Sequence, residues 1–531
     1  MSATPDGRGM SVVGLCCAAV AALLAVSWAW PWLRRYARFR QMEMAIPGPL
    51  SLPLLGSVHV FFFGDRKKTL LQRILAYLEE CRGELSRISI GNKLFVFVTD
   101  ADHLGAVLRD RQFVDKPWFA YSFIKGLLGD GIFTANGATW QRDRATVTPT
   151  FHLEVLEGYF DAFHEEAQGL ARRIAPMVGR DAKVAHEVFT ATCLAAIRTT
   201  LASSLDGHDL QELDDLIRGI EPYMTNVKRR CYNPLLWPDA VFNWSSLGRK
   251  QRQHEDQWNK LMGRIISRKA TEIQSKKEQY DLQSAKKLGY KEFKCVLDIV
   301  LEGTISGEMD LTEDEILTAT KTMFGTAIDS PVIVLGFVFK ILSIRPDVQE
   351  RVYAEINEIT QGSDRPLTID DLPRMEYLER VVKETLRMFP VGPLIARQCQ
   401  EDCEVAGKRI PAGTVLVLNV IGAHRDPRHH PDPLHFDPDR FLPERAKDMH
   451  PFSFVPFSGG PRNCVGQQYA MMLLKTLTAV ILRAYRILPA SDGITQPSQF
   501  PITFDIMLRY VNGVKVRFEH REGHHKDAHR H

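Results

Sequence analysis

The sequence predicts a mainly α-helical body with a stretch of short strands, preceded by an N-terminal transmembrane helix. Three observations lead there. Segments 151–175, 208–228, 250–280 and 346–360 repeat apolar residues at helical spacing, with charged residues on the outer faces. Ile88 to Val98, reading ISIGNKLFVFV, alternates as short strands do. Val12 to Leu33 carries no charged residue over about the twenty positions a helix needs to cross a hydrocarbon core.

From the N-terminus, Trp28, Trp30 and Trp32 mark an interfacial belt where a cleaved signal peptide would show small residues, so residues 1–40 read as an anchor with a basic flank. Arg34, Arg35, Arg38 and Arg40 follow the apolar run and only Arg8 precedes it. The positive-inside rule then leaves everything after residue 40 in the cytosol. Pro47, Gly48, Pro49 and Pro53 cannot continue a helix, which makes 41–56 a stiff neck and starts the body at 57. Arg268 to Lys294 is lysine-rich with few apolar residues and reads as a solvated helix end and loop. Residues 520–531 hold five histidines among mixed charges, the pattern of a solvated tail closing a body of 57–519.

Composition excludes several roles. With 67 Lys+Arg against 64 Asp+Glu, the formal charge is +3, and no basic stripe suits a nucleic acid partner. Nine scattered cysteines imply no disulfide framework. Cys399 and Cys403, near His424, His429, His430 and His435, are off the spacing of a zinc site and read as plain thiols. Length alone would suggest about three or four domains.

Residues 454–470, FVPFSGGPRNCVGQQYA, set Phe457, Gly460, Arg462, Cys464 and Gly466 in an F-x-x-G-x-R-x-C-x-G pattern just ahead of an apolar helical run. Glycines permit a tight turn, and backbone N–H groups with the helix dipole favour a thiolate at such a position. The pattern resembles the haem-thiolate loop of the cytochrome P-450 family. The resemblance implies haem b as cofactor, with Cys464 as the axial and metal ligand, and one mainly helical domain with a small β-rich lobe in place of several.

Upstream, Glu384-x-x-Arg387 lies on a helix from Met375 to Phe389, stopped by Pro390. In the family this motif locks with an arginine from a P-E-R-F segment, here Pro438, Asp439, Arg440 and Phe441. The implied structural triad is Glu384, Arg387 and Arg440, with Asp439 departing from the family's glutamate. Trp140-x-x-x-Arg144 resembles another family helix. With Arg397 and Arg462 it supplies cations to pair with haem propionates.

The stretches LLGDGIFTANGATW, TPTFH and LDIVLEG resemble the microsomal branch known for ω-hydroxylation of fatty acids, family four in the usual classification. That branch implies a single-pass protein of the endoplasmic reticulum membrane with a cytosolic catalytic domain. Its partners would be an NADPH-cytochrome reductase, with cytochrome b5 as a second donor, membrane lipid and a lipophilic substrate. The segment that the family writes A/G-G-x-D/E-T-T is here Thr326-Ala327-Ile328-Asp329-Ser330-Pro331. Asp329 and Ser330 are the expected catalytic acid and alcohol, relaying protons toward bound dioxygen. Pro331 lacks an N–H, so a kink is expected. Many branch members tether haem through a glutamate at the position of Thr326. A threonine cannot form that ester, so haem is expected to be non-covalent apart from Cys464. The activity implied is hydroxylation of a fatty acid, sterol or xenobiotic. The alternative is a haem-thiolate isomerase or dehydratase acting on a peroxide without a reductase, and a non-catalytic haem sensor is the weakest reading. Phe113 to Phe133 and the 208–228 helix are expected to line the pocket.

Overall fold

The computed structural model describes residues 12–521, except 54, 58, 60–69, 82–84, 92, 202–206 and 280–293. The histidines beyond Arg521 and the middle of the lysine-rich loop lie outside the described residues. The central element is the helix Glu313–Ile344. Its start is fixed by a reciprocal cap: Glu315 N–H donates to Thr312 Oγ1 at 3.3 Å, and Thr312 N–H donates to the Glu315 carboxylate at 2.8 Å. Arg345-Pro346 ends it, since the residue before a proline leaves helical geometry. The helix runs as one α-helix through Pro331.

Leu335, Val338, Phe339, Ile341 and Leu342 of this helix are fully buried among Gln467–Ala484, Glu376–Met388, Ala185–Ala196 and Leu153–Ile174. By length and composition the central helix is apolar enough to cross a bilayer, but most of it is buried inside the body, as a core helix should be. The expected 208–228 helix is two, Gly207–Arg218 and Ile220–Tyr232. They meet at Gly219, where a Cβ would stand 2.6 Å from the His254 ring.

The β-rich lobe is a four-stranded sheet in the order Ser86–Ile90, Lys93–Val98, Val415–Asn419, Leu394–Gln398. The first pair is the alternating hairpin seen in the sequence, with Ile88 opposite Phe95. The next pair is parallel, Val96 opposite Leu416, and the last antiparallel, so Arg397 is opposite Leu416 and leans toward the body. A second sheet joins Tyr485–Pro489, Lys515–His520 and Asp181–Lys183, so His520 closes a strand and does not start a tail.

At the N-terminus the helix runs Val12–Met44, about 50 Å long at helical rise, with Leu23, Leu24, Trp28, Trp30 and Trp32 exposed. Its last turns are locked to the lobe. Glu43, fully buried, accepts from Arg40 at 2.6 Å and faces Arg87 at 3.5 Å, while Arg38 reaches Asp402 at 2.6 Å. Arg87 also donates to the carbonyls of Ile46 and Pro49, which holds the proline-rich segment against the sheet.

Candidate active site

A cavity of about 920 Å³ opens between the central helix, the loop leading to Gln467–Ala484 and the β-rich lobe. Its wall is mainly apolar, with Phe95, Phe97, Ile124, Leu128, Phe133 and Phe504 among its residues. The structure brings nine of the sequence-predicted residues to it: Trp140, Arg144, Asp329, Ser330, Arg397, Phe457, Arg462, Cys464 and Gly466. Gly460 and the charged triad stand behind that wall. The expected pocket segments contribute in part, through Lys116 to Phe133 and through Ile220, Met224 and Lys228.

Cys464 is exposed, yet the surface it exposes is the cavity wall deep in the body. Its N–H donates to the Phe457 carbonyl at 2.8 Å, closing the loop over a short 3-10 turn, Gly460–Arg462. Burial pushes the thiol above its ordinary range, opposed by the Gly466 N–H, by Arg144 and by Lys116. A bound iron would add a cationic field that favours the sulfur anion. Gly460 also serves a purpose other than clearance for a macrocycle. Its φ is +66°, and a Cβ there would lie 1.8 Å from the Leu108 carbonyl oxygen, so glycine is required by the close approach of the helix Ala101–Arg109.

The cations divide by what already holds them. Arg462 donates to the carbonyls of Val114, Ile132 and Ala135 and to Asn136 Oδ1, and lies 4.5 Å over the Trp140 ring. It braces the loop more than it offers free donors. Arg144 clamps Asn463, beside Cys464, through the carbonyl at 2.7 Å and Oδ1 at 2.8 Å. Arg397 donates to Ser458 Oγ at 3.2 Å, and burial lowers its pKa. Lys116 is the cation the sequence reading missed. It lines the cavity 4.0 Å above the Phe133 ring, and its pKa is pushed well down, first by burial and then by Arg462 and Arg397. Three mutually repelling cations on one apolar wall fit a ligand that brings negative charge, as haem propionates do. A lysine between Asp115 and Pro117 carried no motif, although its position just before an aromatic run was visible.

On the central helix, Asp329 is ion-paired with Arg509 of the hairpin Ile502–Tyr510. The expected acid is thus anchored by a cation from 180 residues away. Ser330 lines the cavity beside it, and Thr326 Oγ1 donates to the Thr322 carbonyl at 2.7 Å. Behind the loop, Glu384 and Arg387 are fully buried and bonded twice, at 2.7 and 2.8 Å, with Arg440 at 3.3 Å from the same carboxylate. Asp439, the departure noted above, bridges Arg351 at 2.7 Å and Arg380 at 3.6 Å.

Comparison with known proteins adds to this geometry. The family model described as Cytochrome P450 matches residues 46–511. Cytochrome P450 4V2 of Mus musculus is 31% identical over 93% of this chain and 93% of its own. Cytochrome P450 4c21 of Blattella germanica is 33% identical over 84% of this chain and 88% of its own. The haem domain of cytochrome P450DA shares the fold with a TM-score of 0.71 at 21% identity, covering 90% of this chain and 98% of that one. A cysteine opening onto an apolar cavity, a cationic wall beside it and a match across most of the chain agree: this protein belongs to the cytochrome P450 family, monooxygenases that use haem b, and is similar to members of its family four.

Proposed function

We propose that the protein hydroxylates a lipophilic substrate, a fatty acid, sterol or xenobiotic, using dioxygen and electrons from an NADPH-dependent reductase. The observation that carries this reading is the Cys464 thiol facing an apolar cavity lined by few polar groups. Bound haem would supply oxygen activation, and an anionic sulfur ligand favours O–O cleavage. The chain's own residues do the rest. Phe95, Phe97, Phe133 and Phe504 exclude water and hold an apolar substrate; Lys116 and Arg397, with Arg462 beside them, would meet the propionates; Ser330 passes protons through the groove, with Asp329 held in place by Arg509. Purified protein with reductase and a panel of lipids tests this: substrate-dependent NADPH consumption with hydroxylated product is expected. Conversion of a lipid hydroperoxide without NADPH would favour the isomerase or dehydratase.

Ser330→Ala is expected to lower product formed per NADPH by roughly tenfold and raise peroxide release, because an alcohol in the groove is lost, while Ser330→Thr keeps coupling. Equal coupling in the alanine variant would assign the relay to water alone.

The membrane reading rests on the exposed apolar face of Val12–Met44 and the arginines that follow it, and places a single pass in the endoplasmic reticulum membrane with the catalytic body in the cytosol. Removing residues 1–40 is expected to make the protein extractable by alkaline carbonate while it still binds haem. A full-length protein extractable in the same way would overturn the anchor.

A further inference from the structure

The charged triad and the Cys464 loop are joined by a side chain that belongs to neither. His424, fully buried at the end of the short helix Val420–His424, bonds to both. Its carbonyl accepts from Arg387 Nη1 at 2.9 Å, and its Nδ1 lies 3.2 Å from the Arg387 carbonyl oxygen. A carbonyl only accepts, so Nδ1 must carry the proton. On the other side of the ring, the Val455 N–H donates to Nε2 at 2.8 Å, so Nε2 must be bare. The two partners therefore demand one neutral tautomer. Burial, His430 and Arg387 push the imidazole down to about 3, in keeping with that state.

From Val455 the geometry passes to the cysteine in two more bonds. The Val455 carbonyl accepts the Ser458 N–H at 3.0 Å, and the Phe457 carbonyl accepts the Cys464 N–H at 2.8 Å. The loop holds Ser458 at a φ of +61°, a left-handed conformation that persists only when its surroundings enforce it. His430, also buried, adds a bond from Nε2 to the Ser453 carbonyl at 3.0 Å. Glu384, Arg387 and Arg440 spend their bonds on one another, on the Asp437 N–H and on carbonyls of Pro431, Asp432, His424 and His435. Among the described residues, the hydrogen bond that crosses from this cluster to the cysteine loop is the one between His424 and Val455.

We propose that His424 is a positioning residue, a single-tautomer imidazole through which the Glu384–Arg387 pair fixes the loop that presents Cys464. The proposal rests on the reading of Cys464 as the haem ligand. It differs from a general packing role in requiring one donor and one acceptor at fixed ends of the side chain. Glutamine can supply both, with its amide N–H toward Arg387 and its carbonyl toward Val455. Leucine fills a similar space with neither, and asparagine is too short for Val455.

The test uses the full-length holoprotein. The ferrous carbon-monoxide spectrum and the rate of haem transfer to apomyoglobin are measured for wild type and for His424→Gln, His424→Leu and His424→Asn. The leucine and asparagine variants are expected to lose most of the thiolate Soret band and release haem roughly tenfold faster, while glutamine keeps both near wild type. If the leucine variant does not fold, the asparagine–glutamine comparison decides, together with amide exchange at Val455, which should quicken in the asparagine variant alone. Equal behaviour of asparagine and glutamine, or an unchanged band in a folded leucine variant, overturns the proposal. A wild-type protein without a thiolate band would instead sink the ligand assignment, so the two failures are distinct.

Discussion

Cys464→Ala and Cys464→His abolish the thiolate Soret band of the reduced carbon-monoxide complex and reduce oxygenation to background. The expectation follows from where the sulfur sits. It opens onto the cavity beside Lys116 and Arg144, in reach of the Gly466 N–H, and no other cysteine lines that wall near it: Cys231, the second cavity cysteine among the described residues, belongs to the helix Ile220–Tyr232. Alanine removes the ligand, and imidazole gives a neutral ligand without the electron push of a sulfur anion. Haem content separates ligand loss from misfolding, since the histidine variant should still retain haem through the cations and the apolar wall. Survival of the band in either variant would reassign the ligand.

Glu384→Gln is expected to destabilise the protein by about 3–5 kcal/mol, the loss typical when one partner of a buried ion pair is removed. The substitution conserves shape, so packing is not at issue. What changes is charge: Arg387 is completely buried, and Arg440 lies 3.3 Å from the same carboxylate. Both guanidinium groups would then face a neutral amide. Denaturant unfolding of the holoprotein measures the loss, and haem retention follows it because the same cluster supports the Cys464 loop. A loss under about 1 kcal/mol would place the triad among weak surface pairs.

What the sequence revealed and what it hid divide by distance along the chain. The Cys464 loop and Glu384-x-x-Arg387 were legible because their chemistry is packed into ten residues or one helical turn. The hairpin at Ile88 was legible because both strands alternate around a glycine turn. The Asp329–Arg509 pair, the mutual crowding of Lys116, Arg397 and Arg462, and the bond from His424 to Val455 were hidden, since each joins segments that only folding brings together. Arg462 and Gly460 illustrate a subtler limit. Their presence followed from the motif, but their reasons, peptide carbonyls at 114–135 and the Leu108 backbone, came from neighbours that the motif does not contain.

The buried Glu43, shared by Arg40 and Arg87, gives the N-terminal helix a fixed bearing on the lobe. A body hung on a flexible linker samples a cone of orientations and meets partners from every side. A body tied to its helix by the Glu43–Arg87 and Arg38–Asp402 pairs does not. Laid on a bilayer, every copy shows the same latitude of its surface to lipid and the same latitude to the aqueous phase. If the helix spans a bilayer as proposed, collisions with an electron donor in that plane would become a two-dimensional search with one rotational freedom, about the membrane normal.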